Sequence, residues 1–133
     1  GNLMPPTNAG AGFTGTATGA STYAISSNVA NTTSPATREI NVAVSGSTAV
    51  PLGAELKIAV TAPTGGTTGT ATLTNATTSA DSATNIGNIA ATNLPINYSL
   101  GVDPSAGLGD MIAFTGDGTT ADTVELTYTL TDD

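Results

Sequence analysis

Residues 123–131 read Thr-Val-Glu-Leu-Thr-Tyr-Thr-Leu-Thr, with a large apolar side chain at every even position and threonine or glutamate at every odd one. A strand sends successive side chains to opposite faces. Strict period-two alternation over this length therefore specifies a β-strand with one face in a core and the other in water. Two further stretches share the pattern. Residues 38–46 turn Ile40, Val42 and Val44 inward and Glu39, Asn41, Ala43 and Ser45 outward. Residues 54–61 turn Leu56, Ile58 and Val60 inward and Glu55, Lys57 and Ala59 outward. These two strands read as antiparallel neighbours, or as strands of opposite sheets joined across the connector that holds Pro51 and Gly53.

Weaker segments complete the pattern. Tyr23 and Ile25 mark a strand over 21–30, and Ala71 and Leu73 mark one over 69–78. Leu94, Ile96, Tyr98, Leu100 and Val102 share one side over 93–102, and Met111–Phe114 is brief and apolar. Pro95 places the 93–102 strand at its start or along a sheet edge, because proline cannot donate to a ladder. Residues 31–37 with Pro35, and Pro63, Gly65 and Gly66, read as turns, and the polar run 77–84 reads as a loop. Ile86 and Ile89 have opposite strand parity, which predicts a bulge or a helical turn between them. No stretch sustains a 3.6-residue period. Seven or eight short strands between such turns predict an all-β antiparallel β-sandwich with Greek-key or jelly-roll-like wiring; a small barrel is the rival. Residues 1–20 read as an extended N-terminal arm and 21–133 as a single β-sandwich domain.

Composition narrows the function. The net charge is −8 and only Arg38 and Lys57 are positive. A chain this poor in cations is not built to neutralise phosphates or to dock on an anionic bilayer, so neither nucleic acid nor membrane insertion is expected. Histidine and cysteine are both absent, which removes the usual base of a nucleophilic triad, the thiolate nucleophile and the main transition-metal ligands. No phosphate-binding loop, dinucleotide fingerprint or nucleophile elbow is present. Glu39 and Glu55 are a carboxylate pair on outward faces, and ion pairing with the two cations accounts for them more simply than catalysis. The chain is expected not to be an enzyme. No run approaches the length of a membrane-spanning helix. The start at Gly1 without a signal-peptide pattern is what a processed mature chain, or a recombinantly trimmed one, would show.

Four aspartates, Asp103, Asp110, Asp117 and Asp122, cluster within 103–122, and hard oxygen ligands suit calcium. The same residues also serve as ordinary turn formers, since an aspartate side chain bonds its own backbone. No other cofactor is expected. Asn31, Asn75 and Asn97 begin N-x-[ST] triplets and are glycosylation candidates. In the arm, Ala9, Ala11, Phe13, Gly15 and Ala17 fall on one face when extended. The arm is then either a loosely held tail or a strand that pairs with another subunit, with Phe13 as a single knob between small residues.

Only 25 of 133 residues are isoleucine, leucine, valine or phenylalanine, against 27 threonines and 21 alanines. So thin a core must still overcome roughly 1–2 kcal/mol of backbone entropy per residue, which predicts help from an ion, a partner subunit or a donated strand. The threonines favour strands while keeping the outer faces wet. One lysine leaves the sheet edges without their common guard against strand addition.

This composition, the low-complexity arm and the strands REINVAVSG, AELKIAVT and TVELTYTLT resemble the small secreted β-sandwich subunits of prokaryotic surface filaments, including those joined by donor-strand exchange. The resemblance implies an extracellular, cell-surface subunit whose partners are other copies of itself. The arm departs from a strongly hydrophobic donor strand, because glycine and alanine fill most of its inward positions. Two alternatives share the surface: an adhesin or carbohydrate-binding module meeting surface glycans or a host surface, and a capsid or shell decoration protein. Against the carbohydrate module, the chain has no tryptophan, and parity turns Tyr23, Tyr98 and Tyr128 all inward.

Overall fold

The computed structural model describes residues 17–28, 37–105 and 123–132. They form seven strands: β1 (Ala17–Ser27), β2 (Arg38–Ser45), β3 (Ala54–Val60), β4 (Gly69–Leu73), β5 (Ser79–Asp81), β6 (Ile89–Val102) and β7 (Glu125–Asp132). Two antiparallel sheets, ordered β1-β6-β3-β4 and β5-β2-β7, face each other as a β-sandwich. The described residues contain no helix. The turn expected at 31–37, apart from Thr37, and the strand expected at 111–114 lie outside the described residues.

Among the described strands, only β3 and β4 are consecutive members of one sheet, and every other consecutive pair is divided between the two sheets, so β2 and β3 are layer partners rather than neighbours. The β3–β4 loop opens with the turn the sequence marks: Gly66 N–H donates to Pro63 O at 2.9 Å, and Gly65 has φ +89°. That φ belongs to the third position of a type II turn, where glycine carries no steric cost. The connector from β2 to β3 closes the same way, with Ala54 N–H on Pro51 O.

The core lies between β2, β3 and β4 and the loop running on from β5. Ile58, Leu73, Ile86, Val42, Val50 and Val60 are all fully buried. Ile86 and Ile89 have opposite parity because they serve different sheets. Ile86 exchanges two backbone bonds with Arg38 and so prolongs the β2 ladder, whereas Ile89 opens β6. Asn85, at φ +55°, reverses the chain just before Ile86. The run 77–84 is not the loop expected of it. Ser79–Asp81 pair with β2 as β5, because small side chains let the backbone close against β2 without any alternating signal.

Pro95 also sits otherwise than expected. It lies inside β6, a central strand that begins six residues earlier at Ile89. The regular β3 ladder ends at Val60 and Ile96; one step beyond, Thr61 N–H still donates to Pro95 O, and the Thr61 carbonyl, to which proline cannot donate, accepts from the Tyr23 hydroxyl instead. A bulge near Asn93 (φ +55°) shifts the register against β1 between Tyr23 and Ile25. Strand β1 begins at Ala17, opposite Leu100, so the last four residues of the arm stretch belong to it.

Candidate assembly interface

The two lateral sides of the sandwich differ. On the side of β4 and β5 the backbones interlock. Thr67 and Thr84 exchange two backbone bonds of 2.8 and 2.9 Å. The buried Ser82 hydroxyl donates to Gly69 O at 2.8 Å, and Asn85 Nδ2 donates to Thr67 Oγ1 at 3.0 Å. This side is closed.

The other side is bounded by the edge strands β1 and β7. Between them lies a cleft of about 340 Å³ with Ile25, Ile40, Val60, Ile96 and Leu130 in its walls. At its rim Tyr98 on β6 and Tyr128 on β7 share a hydrogen bond of 2.6 Å between their hydroxyls, which ties one sheet to the other. Ser21 on β1 extends the chain of hydroxyls to Tyr98 at 3.1 Å. Tyr23 donates to the carbonyl of Thr61, past the end of β3. Tyr23 and Tyr98 pack on the core, but Tyr128, inward by parity, is 37% exposed. Its neighbours Val124, Leu126 and Leu130 are only half-buried. The strand whose alternation is plainest therefore adds little to the closed core: its apolar face overhangs the open cleft.

The direction of the β7 backbone follows from β2. Arg38, Ile40 and Val44 direct their N–H groups to the β5 side, toward Ile86, Ala83 and Thr78. Residues along an antiparallel strand alternate in the side to which they bond. Glu39, Asn41, Ala43 and Ser45 therefore face β7, where their partners are Thr131, Thr129, Thr127 and Glu125. This leaves the N–H and C=O groups of Leu126, Tyr128 and Leu130 directed along the outer edge, where no strand pairs among the described residues. Glu125 and Asp132 are the only charged residues of β7, both at its ends, and β1 has none. Edges normally guarded by lysine, proline or inward charge are bare here.

The ion pairs lie elsewhere. Lys57 Nζ is 3.1 Å from Glu55, as expected, and Arg38 Nε pairs at 2.9 Å with Asp132. Glu39 and Glu55 lie in opposite sheets. Of the candidate calcium ligands, Asp103 accepts bonds from the hydroxyl and the N–H of Ser105, which hold its carboxyl below the usual range. This is the aspartate turn, with the side chain on its own backbone. Asp110, Asp117 and Asp122 lie outside the described residues, among which no group of three acidic, histidine or cysteine side chains could hold a metal. Ala9, Ala11, Phe13, Gly15 and Asn31 also lie outside them. Asn75 is exposed, with Nδ2 donating to Val50 O at 2.9 Å. Asn97 is exposed on the outer face of β6 between Ala20 and Ala59. Among the described residues no helix is long and apolar enough to cross a membrane.

The rim makes folding sensitive to alkali. Burial, and for Tyr128 also its bond to Tyr98, raises the phenols of Tyr23 and Tyr128 above the ordinary 10.0. Below that value both states keep these protons, and the contribution is fully present. Above it the unfolded chain ionises while the fold holds its protons, so stability falls as pH rises. Denaturant midpoints should stay level from neutral pH to about pH 10 and drop beyond it, and Tyr128→Phe should flatten that drop. A profile unchanged by the substitution contradicts this.

The position of the open edge was not readable from the sequence. Period-two alternation shows which face turns inward but not which strand lacks a neighbour. Ser82 and Gly69, which close the opposite side, carry no motif. No protein-family model, curated protein or solved structure matches the chain.

Proposed function

We propose that this chain is a structural subunit of an extracellular filament or surface layer that assembles with other copies of itself through β-strand contacts. One observation carries the reading. The sandwich is closed on the side of β4 and β5, while on the other side β7 has no strand on its outer flank among the described residues and a half-covered apolar face. A lone subunit leaves Leu126, Tyr128 and Leu130 partly in water, and contact with a further strand would satisfy the backbone and cover the face together. The absence of lysine from both open edges removes the barrier that monomeric sheet proteins keep there.

Electron microscopy of the native material beside a chain lacking residues 1–16 tests the reading; β1 begins at Ala17, so this cut spares the sheet. Filaments or sheets are expected from the full chain and should be lost on truncation. A monodisperse full-length monomer at high concentration would refute the proposal.

A further inference from the structure

We propose that Tyr98 and Tyr128 form an oxidative coupling site, where loss of one hydrogen from each phenol joins the rings into a dityrosine that staples one sheet to the other. The two residues stand on β6 and β7, in opposite sheets, and their hydroxyl oxygens lie 2.6 Å apart. Both rings belong to one subunit, so the inference does not depend on the assembly reading.

Coupling needs two phenol rings that stay together while both are radicals. Holding them in contact replaces a rare encounter by a local rotation. The hydrogen bond supplies that contact, and the Ser21 hydroxyl braces Tyr98 from β1 at 3.1 Å. The product fits the same place. In an ortho-linked biphenol the two hydroxyls lie side by side and bond to one another, so the contact already made is kept. The ring of Tyr98 also has room to turn. Its partner across β1 is Gly19, where even an added Cβ would stay 4.0 Å from Tyr98 Cβ. Residues opposite each other share a face, so no side chain from Gly19 stands on that flank.

Few groups compete for the oxidant. The chain has no cysteine and no tryptophan, the side chains that would otherwise quench a tyrosyl radical. Its two methionines take up oxygen to give the sulfoxide, which forms no cross-link. Of the three tyrosines, Tyr23 is engaged apart from the pair, with its hydroxyl on the carbonyl of Thr61. Tyr128, 37% exposed, is the ring that an oxidant meets.

The step releases two electrons and two protons. A haem peroxidase takes one electron and one proton from each phenol and passes them to hydrogen peroxide, which leaves as two waters. The radicals join Cε to Cε, and the hydrogen on each joined carbon moves to the oxygen of its own ring. The new bond does on the open side what the Thr67–Thr84 backbone bonds do on the closed one, in a chain with no cysteine to form a disulfide there.

Dilute folded chain treated with a haem peroxidase and hydrogen peroxide should become a monomer lighter by two hydrogens and fluorescent as a biphenol. Cleavage at the aspartates between the two tyrosines should leave their peptides joined. The thermal midpoint should rise by about 10 °C, because the bond closes the long loop between β6 and β7. Tyr23→Phe should leave the yield unchanged, whereas Tyr98→Phe or Tyr128→Phe should lower it about tenfold or more. In denaturant the preference should vanish and the three tyrosines couple alike. Interchain dimers as the main product, a junction that includes Tyr23, or a yield no better folded than denatured would each overturn the inference. Microscopy of filaments tests the assembly reading separately.

Discussion

Leu73→Ala is expected to destabilise the subunit by about 2–5 kcal/mol, and Leu126→Ala by about 1 kcal/mol. The residues are of one type and both point inward from strands, but Leu73 is fully buried under the closed side while Leu126 is half-buried on the open edge. Removing Leu73 leaves a cavity with walls on every side, so the lost transfer energy and the void add. Removing Leu126 takes away a group that water already reaches. Stabilities of domains lie at about 5–15 kcal/mol, so the first change takes a large share and the second a small one. Denaturant titration of monomeric protein measures both. Equal losses would mean that β7 is as well covered as β4, which would remove the observation behind the assembly reading.

Gly69→Ala is expected to cost about 1–3 kcal/mol or more, although it adds only a methyl group in a strand. A Cβ at this position would lie 2.3 Å from the carbonyl oxygen of Ser82 and 2.9 Å from its carbonyl carbon. Both atoms are backbone, and Ser82 cannot yield freely because its hydroxyl is bonded to Gly69 O and its N–H to Ile40 O. The expected result is a lower thermal midpoint and faster hydrogen exchange along β4 and β5. Gly87→Ala is the control, since nothing lies within 4 Å of a Cβ there. Similar midpoints for the two variants would refute the close approach.

Much of the fold was legible in the residues. Strands β2, β3 and β7 lie within a few residues of the alternating stretches, and the Pro63–Gly66 turn stands where its glycines put it. Alternation is visible when one face is buried among large side chains. It fails for β5, whose Ser-Ala-Asp is held by pairing with β2 alone. The missing donor of Pro95 points to a strand start or a sheet edge, yet Pro95 stands inside a central strand, because the Tyr23 hydroxyl, far away in sequence, takes that donor's place on Thr61 O. The tyrosines show the limit best. Parity aims Tyr128 inward correctly, yet what covers a side chain depends on strands far away in sequence. Scarce lysine pointed to strand assembly; only the sheet order located the edge.

The wiring has a consequence in time. Strand β2 runs beside β7 from Arg38 opposite Asp132 to Ser45 opposite Glu125, so the small sheet joins the first third of the chain to its last few residues. Closing loops of that length makes folding slow. A chain delivered from its N-terminus has the β3–β4 hairpin early, but it must hold the inner flank of β2 unpaired until the last strand arrives. Throughout that wait any passing strand with the same alternation is a competitor. The fold is therefore exposed to mispairing before it is complete, and its yield in a crowded compartment should depend on how quickly residues 125–132 follow the rest.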